Sequence, residues 1–357
     1  MPANDTATFH YTVGLMKTAM SPRTATTAAK LASNTIEEKN ACIPLAKRPP
    51  MDVRMYGRRT PGGGNPLVVH FHGGAFVAGD LDSGSTVARM LAGAGAVVVS
   101  LAYPLAPKNP FPDGVEAGYD VLEWVYKNRV KLAGQGARIF LAGEEAGGNI
   151  AAAMAVMARD RGHPPLAGQI LLSPMLDPCV GTASLRKATA DATQCKWADG
   201  WLQYLRCPMD AEHPYAVPGG SRRLADIAPT LVLSGLDDPL RDEAKAYAER
   251  LRNAGIEVTY HVMQAAQNWP DALTLPVNGE CSCGVAVKQQ FRAFFEATAK
   301  PTTTAKTTTT TTTSTSTSTS TSTSTSTSSP ATAADAAAED KAAARRARPD
   351  DGRPGTS

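Results

Sequence analysis

The residues with the clearest chemical meaning lie in the segment Gly143-Glu144-Glu145-Ala146-Gly147-Gly148. An apolar run typical of a strand, residues 138–142, precedes this segment, and small residues typical of a helix, 149–157, follow it. A glycine-flanked turn between a strand and a helix raises its middle residue over the end of the sheet, where a nucleophile, most often serine, can attack a substrate. Here the middle residue is Glu145. The sequence therefore predicts the geometry of a nucleophile turn without its usual nucleophile.

Two further groups of polar residues follow apolar runs that are typical of buried strands. His72-Gly73-Gly74-Ala75 comes after residues 67–71, and Asp237-Asp238 comes after residues 230–234. In open α/β sheets, ligands bind beyond the carboxyl ends of the strands. We therefore expect both loops and the turn at Glu145 to meet at one crevice.

Strand and helix patterns alternate along most of the chain. The predicted strands cover residues 51–56, 67–71, 96–101, 138–142, 169–173, 230–234 and 258–262. The predicted helices cover residues 86–94, 114–128, 149–161 and 243–254. Such alternation predicts an α/β domain whose helices cover both faces of a mostly parallel sheet. Trp197, Trp201 and Tyr204 fall at helical spacing, and we expect them to pack in the core or in a lid rather than to contact a ligand. We expect His70 to be a packed core residue.

Four segments in this order resemble motifs of the α/β hydrolases similar to hormone-sensitive lipase. They are His72-Gly73-Gly74-Ala75-Phe76, Tyr103-Pro104-Leu105-Ala106-Pro107, the turn around Glu145, and Asp238-Pro239-Leu240-Arg241-Asp242-Glu243. The resemblance covers about residues 53–296. It implies an α/β-hydrolase fold with a helical cap, which we expect from about residues 1–50 and 176–226.

The resemblance also implies a set of site residues. The family transfers acyl groups with a serine that attacks the ester, a histidine that removes its proton and an aspartate that orients the histidine. By resemblance, Glu145 stands at the nucleophile position, Asp238 at the acid position and Asn268 at the base position. The backbone N–H groups that stabilise the oxyanion are expected from Gly73, Gly74 and Ala146, with His72 bracing their loop.

Without serine and histidine, ordinary ester hydrolysis has no mechanism. We expect a catalytically impaired protein that binds a small acyl-like or apolar ligand, or a partner. The carboxylate of Glu145 either folds back into its own oxyanion hole or is tolerated drift. One alternative is a lyase or isomerase in which Glu145 acts as general base or acid and shares a proton with Asp238 through Asn268. Another is a residual carboxylic ester hydrolase acting on an ester-like substrate.

Composition narrows the remaining function classes. The net charge of the 357 residues is only +3, so we expect no nucleic-acid or membrane partner. The cysteines lack zinc-site spacing, and we expect neither a metal nor a cofactor. No signal-peptide pattern is visible in residues 1–23, which favours a cytoplasmic location. We expect a hydrolase domain over residues 1–300 and a disordered tail, rich in Thr and Ser and then in Ala and charged residues, over 301–357. Assembly into a homo-oligomer stays open.

Overall fold

The computed structural model describes residues 36–189, 195–264, 266–274 and 283–299. The chain divides into two units, Met1–Thr303 and Thr304–Ser357, and all described residues belong to the first. The predicted disordered tail, 301–357, and residues 1–35 of the predicted cap lie outside the described residues.

An eight-stranded sheet forms the centre of the domain. Its strands are β1 (Glu38–Ile43), β2 (Met51–Tyr56), β3 (Pro66–Phe71), β4 (Val97–Leu101), β5 (Arg138–Glu144), β6 (Gly168–Leu172), β7 (Thr230–Gly235) and β8 (Val258–Met263). Their order across the sheet is β1-β2-β4-β3-β5-β6-β7-β8. The pairs β1/β2 and β2/β4 are antiparallel, and the other neighbours are parallel. The predicted mostly parallel sheet is confirmed.

Helices cover both faces of this sheet. Within the described residues they are α1 (Ser85–Gly93), α2 (Asp113–Ala133), α3 (Ala146–Arg161), α4 (Ala183–Thr189), α5 (Lys196–Tyr204), α6 (Arg241–Asn253), α7 (Asp271–Thr274) and α8 (Gly284–Ala297). Successive strand residues point to opposite faces, so Val69 packs in the core that α2, α3 and α6 share, whereas Val68 packs in the core beneath α1 and α8. The two buried faces explain why the central strands are apolar throughout.

One segment assigned to the cap belongs to the sheet instead. Residues 38–43 form β1, which pairs antiparallel with β2 from Glu38↔Tyr56 to Ile43↔Met51. This strand was missed because only Ile43 among its six residues is buried, so the sequence shows no apolar alternation. Helix α3 also begins earlier than predicted, directly after Glu145, because Gly147 and Gly148 are helical here despite their low propensity.

The other expected cap segment, residues 176–226, contains α4, α5 and two short 3₁₀ helices, Pro208–Glu212 and Pro218–Gly220. Helix α5 lies directly against the loop after β3. A Cβ on Gly200 would stand 2.2 Å from the carbonyl oxygen of Ala75, so only glycine allows this approach. Within the described residues no helix is both long and apolar enough to cross a membrane.

Candidate functional site

The turn between β5 and α3 is held in a strained conformation by the surrounding backbone. Glu145 has φ 52° and ψ −117°, a region that non-glycine residues rarely adopt. A Cβ on Gly147 would stand 2.0 Å from the carbonyl oxygen of Phe71, and one on Gly143 would stand 2.2 Å from that of Gly147. The Glu145 N–H donates to the Leu172 carbonyl at 3.0 Å. These contacts fix the backbone of the turn. The Glu145 side chain lies against the loop after β3.

The carboxylate of Glu145 is enclosed by hydrogen-bond donors. Its Oε2 accepts the backbone N–H groups of Gly74 at 2.5 Å and Ala75 at 3.1 Å. Its Oε1 accepts the indole N–H of Trp197 at 2.7 Å and lies 3.2 Å from Nζ of Lys196. The residue is 1% exposed. All four partners are donors, a set that satisfies an ionised carboxylate but not a protonated carboxyl group, which must itself donate.

Lys196 links this buried carboxylate to the surface. Its ammonium group lies between Glu145 and Asp271, which it also contacts, and over the ring of Trp197 at 4.7 Å from the centroid. Burial lowers the pKa of Lys196, but the charges of Glu145 and Asp271 outweigh that effect, and the net pKa is raised. Lys196 is therefore a stable cation at the mouth of the site. Nothing in the sequence singled it out, because a lysine at the start of a helix is ordinary.

The loop after β3 supplies its donors differently from the prediction. The predicted oxyanion donors were Gly73, Gly74 and Ala146. The Gly73 N–H donates to Oε1 of Glu144 at 3.2 Å instead, and Ala75 takes its place on Glu145. Within the described part of the chain, no hydrogen bond joins the Ala146 N–H to the Glu145 carboxylate. The sequence missed Ala75 because its N–H turns inward only through a positive φ of 49°.

His72 connects this loop to Tyr103 through a hydrogen bond and a ring contact. Its Nδ1 donates to the Gly73 carbonyl at 2.7 Å, and its ring stacks on Tyr103 with the centroids 4.4 Å apart. The Tyr103 hydroxyl in turn donates to the His72 carbonyl at 2.8 Å. Burial lowers the pKa of His72 to about 4, so the imidazole is neutral at pH 7. These contacts connect the Gly73 end of the loop to Tyr103.

His70 was expected to be a packed core residue, and it is buried, but it also belongs to a polar chain. Its Nδ1 lies 2.9 Å from Oγ of Ser100, and its Nε2 lies 2.8 Å from Oε2 of Glu144. Burial raises the pKa of Glu144, against the effects of His70 and of the Gly73 N–H. The sequence signal for the His70–Glu144 pair is a polar residue, His70, within the apolar run of residues 67–71. Through Glu144, this series of hydrogen bonds connects the Gly73 end of the loop to β5.

Asp238 is buried at the end of β7 and is bound by local groups. Its Oδ2 accepts the Ser173 hydroxyl at 2.5 Å and the Gly235 N–H at 3.3 Å, and its Oδ1 accepts the Leu240 N–H at 2.9 Å. Burial raises the pKa of Asp238 to about 6, although these hydrogen bonds lower it. The described residues include no hydrogen bond between Asp238 and Glu145.

Asn268 is exposed and lies in the turn before α7. Its φ is 56°, and its carbonyl accepts the Ala272 N–H at 2.8 Å. Among the described residues its side chain has no hydrogen bond to Glu145 or to Asp238. The proton relay considered from Glu145 through Asn268 to Asp238 is therefore not formed in this structure.

The aromatic residues of α5 are buried against the same loop. Tyr204 stacks on Phe76 with the ring centroids 3.9 Å apart, and Trp201 lies 4.9 Å from Phe76. This is the packing expected for them, whereas Trp197 turns its indole N–H to Glu145. Over the described ranges, no group of His, Cys, Asp and Glu residues is arranged to hold a metal ion.

Comparison with known proteins gives consistent matches. A family model described as "alpha/beta hydrolase fold" matches residues 68–267. Carboxylesterase NlhH of Mycobacterium tuberculosis is 39% identical over 199 residues, which are 54% of this chain and 62% of that protein. Gibberellin receptor GID1C of Arabidopsis thaliana is 36% identical over 216 residues, 56% of this chain and 61% of the receptor. This chain thus spans less than two thirds of the length of these curated relatives.

A solved structure gives the same result in three dimensions. The Pyrobaculum calidifontis esterase superposes with a TM-score of 0.64 at 32% identity, over 78% of this chain and 91% of that one.

Proposed function

This chain belongs to the α/β hydrolase family, and from that premise we propose that it is an esterase-like pseudoenzyme. In this proposal, ester hydrolysis is impaired and the capped crevice binds a small acyl-like or apolar ligand, or a partner. Glu145 occupies the position of the nucleophile, and Asn268 occupies that of the base. Asp238 is the retained acid of the triad.

The observation that carries the proposal is the occupied pair of N–H groups at Gly74 and Ala75. Acyl transfer requires such preorganised donors for the oxygen that becomes negative in the transition state. Both donors are hydrogen-bonded to Oε2 of Glu145. An ester carbonyl cannot use them until the glutamate leaves, so Glu145 acts as an internal plug.

The base side of the site supports the same conclusion. An amide such as that of Asn268 does not accept a proton at neutral pH. Asp238 is bound by Ser173 and two backbone N–H groups. Loss of triad members leaves only the acceleration that the oxyanion hole and binding provide, and here the oxyanion hole is filled as well.

A general-base role for Glu145, as in a lyase or isomerase, has less support. A base needs a free lone pair directed at the substrate, within hydrogen-bond reach of the proton that it removes. Each oxygen of Glu145 already faces two donors. The second candidate is therefore a residual carboxylic ester hydrolase, which relatives named carboxylesterase and esterase favour. The relative named as a receptor favours ligand binding.

Ester hydrolysis by the purified protein tests the proposal. We expect no hydrolysis of 4-nitrophenyl acetate or butyrate above a heat-inactivated control. Glu145→Ala is the control, because hydrolysis that this variant shares with the wild type does not depend on Glu145 and is assigned to a contaminating esterase. A wild-type kcat within tenfold of the roughly 10 s⁻¹ typical of enzymes, and lost in Glu145→Ala, would establish the residual hydrolase instead.

A further inference from the structure

The donors around Glu145 come from two separate parts of the molecule. Gly74 and Ala75 belong to the loop after β3, and Lys196 and Trp197 begin helix α5. We propose that these four residues form a binding site for small monocarboxylates, in which the Glu145 side chain is the resident ligand. A free carboxylic acid is the external ligand class, and it binds once the Glu145 carboxylate no longer occupies the four donors. This inference rests on the proposed function, because it requires that Glu145 is not a working nucleophile.

The donor set selects an acid over an ester. A carboxylate has two equivalent oxygens that share a full charge, and each can accept two hydrogen bonds here. The backbone N–H pair serves one oxygen, and the indole and ammonium groups serve the other. An ester offers only one good acceptor and no charge, so Lys196 and Trp197 would lose their partner. A primary amide would direct its own donor at the ammonium group.

The site does not depend on Glu145 to remain assembled. Asp271 holds the ammonium group of Lys196 from the other side. Trp197 is 7% exposed and fixed by packing, and the close contact of Gly200 with Ala75 anchors α5 on the loop. Buried donors that lose their acceptor cost free energy. Removal of the Glu145 carboxylate therefore leaves a preorganised, unsatisfied anion site.

Truncation of Glu145 gives a size-matched test. Glu145→Ala retains the Cβ and deletes a fragment equivalent to acetate. We expect 100 mM sodium acetate to raise the melting temperature of this variant by about 3 °C, as for a ligand present at roughly ten times its Kd. Sodium chloride at the same concentration and acetamide, which has the same shape without charge, should have no such effect. The wild type should not respond to acetate, because its own carboxylate fills the site.

Two second-site variants separate recognition from general stabilisation. Adding Lys196→Met to Glu145→Ala should abolish the acetate response. Adding Lys127→Met, at an exposed lysine of α2, should retain it. Glu145→Gly deletes one carbon more and suits the positive φ, so its preference should shift from acetate to propionate.

Failure of either alanine or glycine variant, folded by circular dichroism, to respond to its matched acid beyond chloride would overturn the inference. An equal response in the Lys196→Met background would overturn it as well. If Glu145→Ala aggregates, Glu145→Gly decides the question alone. Because wild-type ester hydrolysis is measured separately, ester turnover together with acetate rescue would refute the proposed function while leaving the carboxylate site intact.

Discussion

The two halves of the crevice differ in how their polar groups are satisfied. On the β5 side, each carboxylate oxygen of Glu145 contacts two donors. One pair comes from the loop after β3 and the other from helix α5. On the β7–β8 side, Asp238 accepts hydrogen bonds from Ser173 and two backbone N–H groups, and Asn268 is exposed. The Nε1 of buried Trp269, next to Asn268, has no partner within the described residues.

This difference relates one half of the crevice to anion binding and the other to proton transfer. The first half is arranged to hold an anion, and the charge that it holds is part of the protein. In the second half, the described residues include no hydrogen bond between Asp238 and Asn268 or from either side chain to Glu145. Under the proposed function, anion binding and proton transfer, which a working hydrolase combines, are separated.

The largest expected effect comes from rebuilding both halves together. Glu145→Ser frees the Gly74 and Ala75 N–H groups and supplies a hydroxyl group, and Asn268→His supplies a base. We expect the double variant to hydrolyse 4-nitrophenyl acetate at least ~100-fold faster than the wild type, and neither single variant to gain, because members of a catalytic unit are non-additive. Initial rates measure this. A folded double variant that remains inactive would show that the crevice differs from a working esterase site in more than these two side chains.

An intermediate effect concerns the pH dependence of stability. Burial raises the pKa of Asp238 from 3.8 to about 6. Below pH 3.8 the carboxyl group is protonated in both folded and unfolded states, and its full contribution to stability is present. As the pH rises through about 6, the folded protein must hold a buried carboxylate and that contribution is lost. Between pH 4 and 7, the wild type should lose up to roughly 3 kcal/mol more unfolding free energy than Asp238→Ala.

Urea denaturation at four pH values between 4 and 7 measures the difference. Glu243, whose pKa burial raises to about 8, is common to both proteins and largely cancels. Asp237→Ala, at the exposed neighbour, should follow the wild type. Identical pH slopes for wild type and Asp238→Ala would indicate that Asp238 gains a cationic partner in solution, which would contradict the contrast between the two halves.

The smallest expected effect compares two buried tryptophans. Trp197→Phe removes a donor to the Glu145 carboxylate, whereas Trp269→Phe removes an indole N–H without a partner in the described structure. The loss of volume is the same, so the difference reports the hydrogen bond together with the weakened contact of Lys196 with the Trp197 ring. A hydrogen bond to a charged group contributes about 1.5–3 kcal/mol, and Trp197→Phe should cost about 2 kcal/mol more than Trp269→Phe in urea denaturation. Equal costs would mean that the anion site adds no stability.

Much of the fold could be predicted from sequence because its signals are local. The apolar runs of β3, β5 and β7 and the glycines around Glu145 fix the strand ends and the turn. The edge strand β1 escaped prediction because five of its six residues are not buried. Its place depends on backbone pairing with β2, which side-chain patterns do not encode.

The site was predictable only in part, for a related reason. Glu145 and the glycine loop are adjacent to strand ends, so their meeting follows from the sheet. Lys196 reaches Glu145 across 51 positions through the docking of α5, which depends on the contact of Gly200 with Ala75. The exchange of Gly73 for Ala75 as donor follows from backbone dihedral angles near Ala75, and no residue type specifies them.

The turn at Glu145 also bears on how such a protein can change over generations. Its conformation is enforced by Gly143, Gly147 and the carbonyl oxygen of Phe71, and the Glu145 side chain takes no part in those contacts. The backbone conformation of the turn therefore does not depend on which side chain stands at position 145. A lineage can exchange a hydroxyl for a carboxylate there in a few nucleotide changes while the surrounding fold persists, so chains with either group at this turn are neighbours in sequence space.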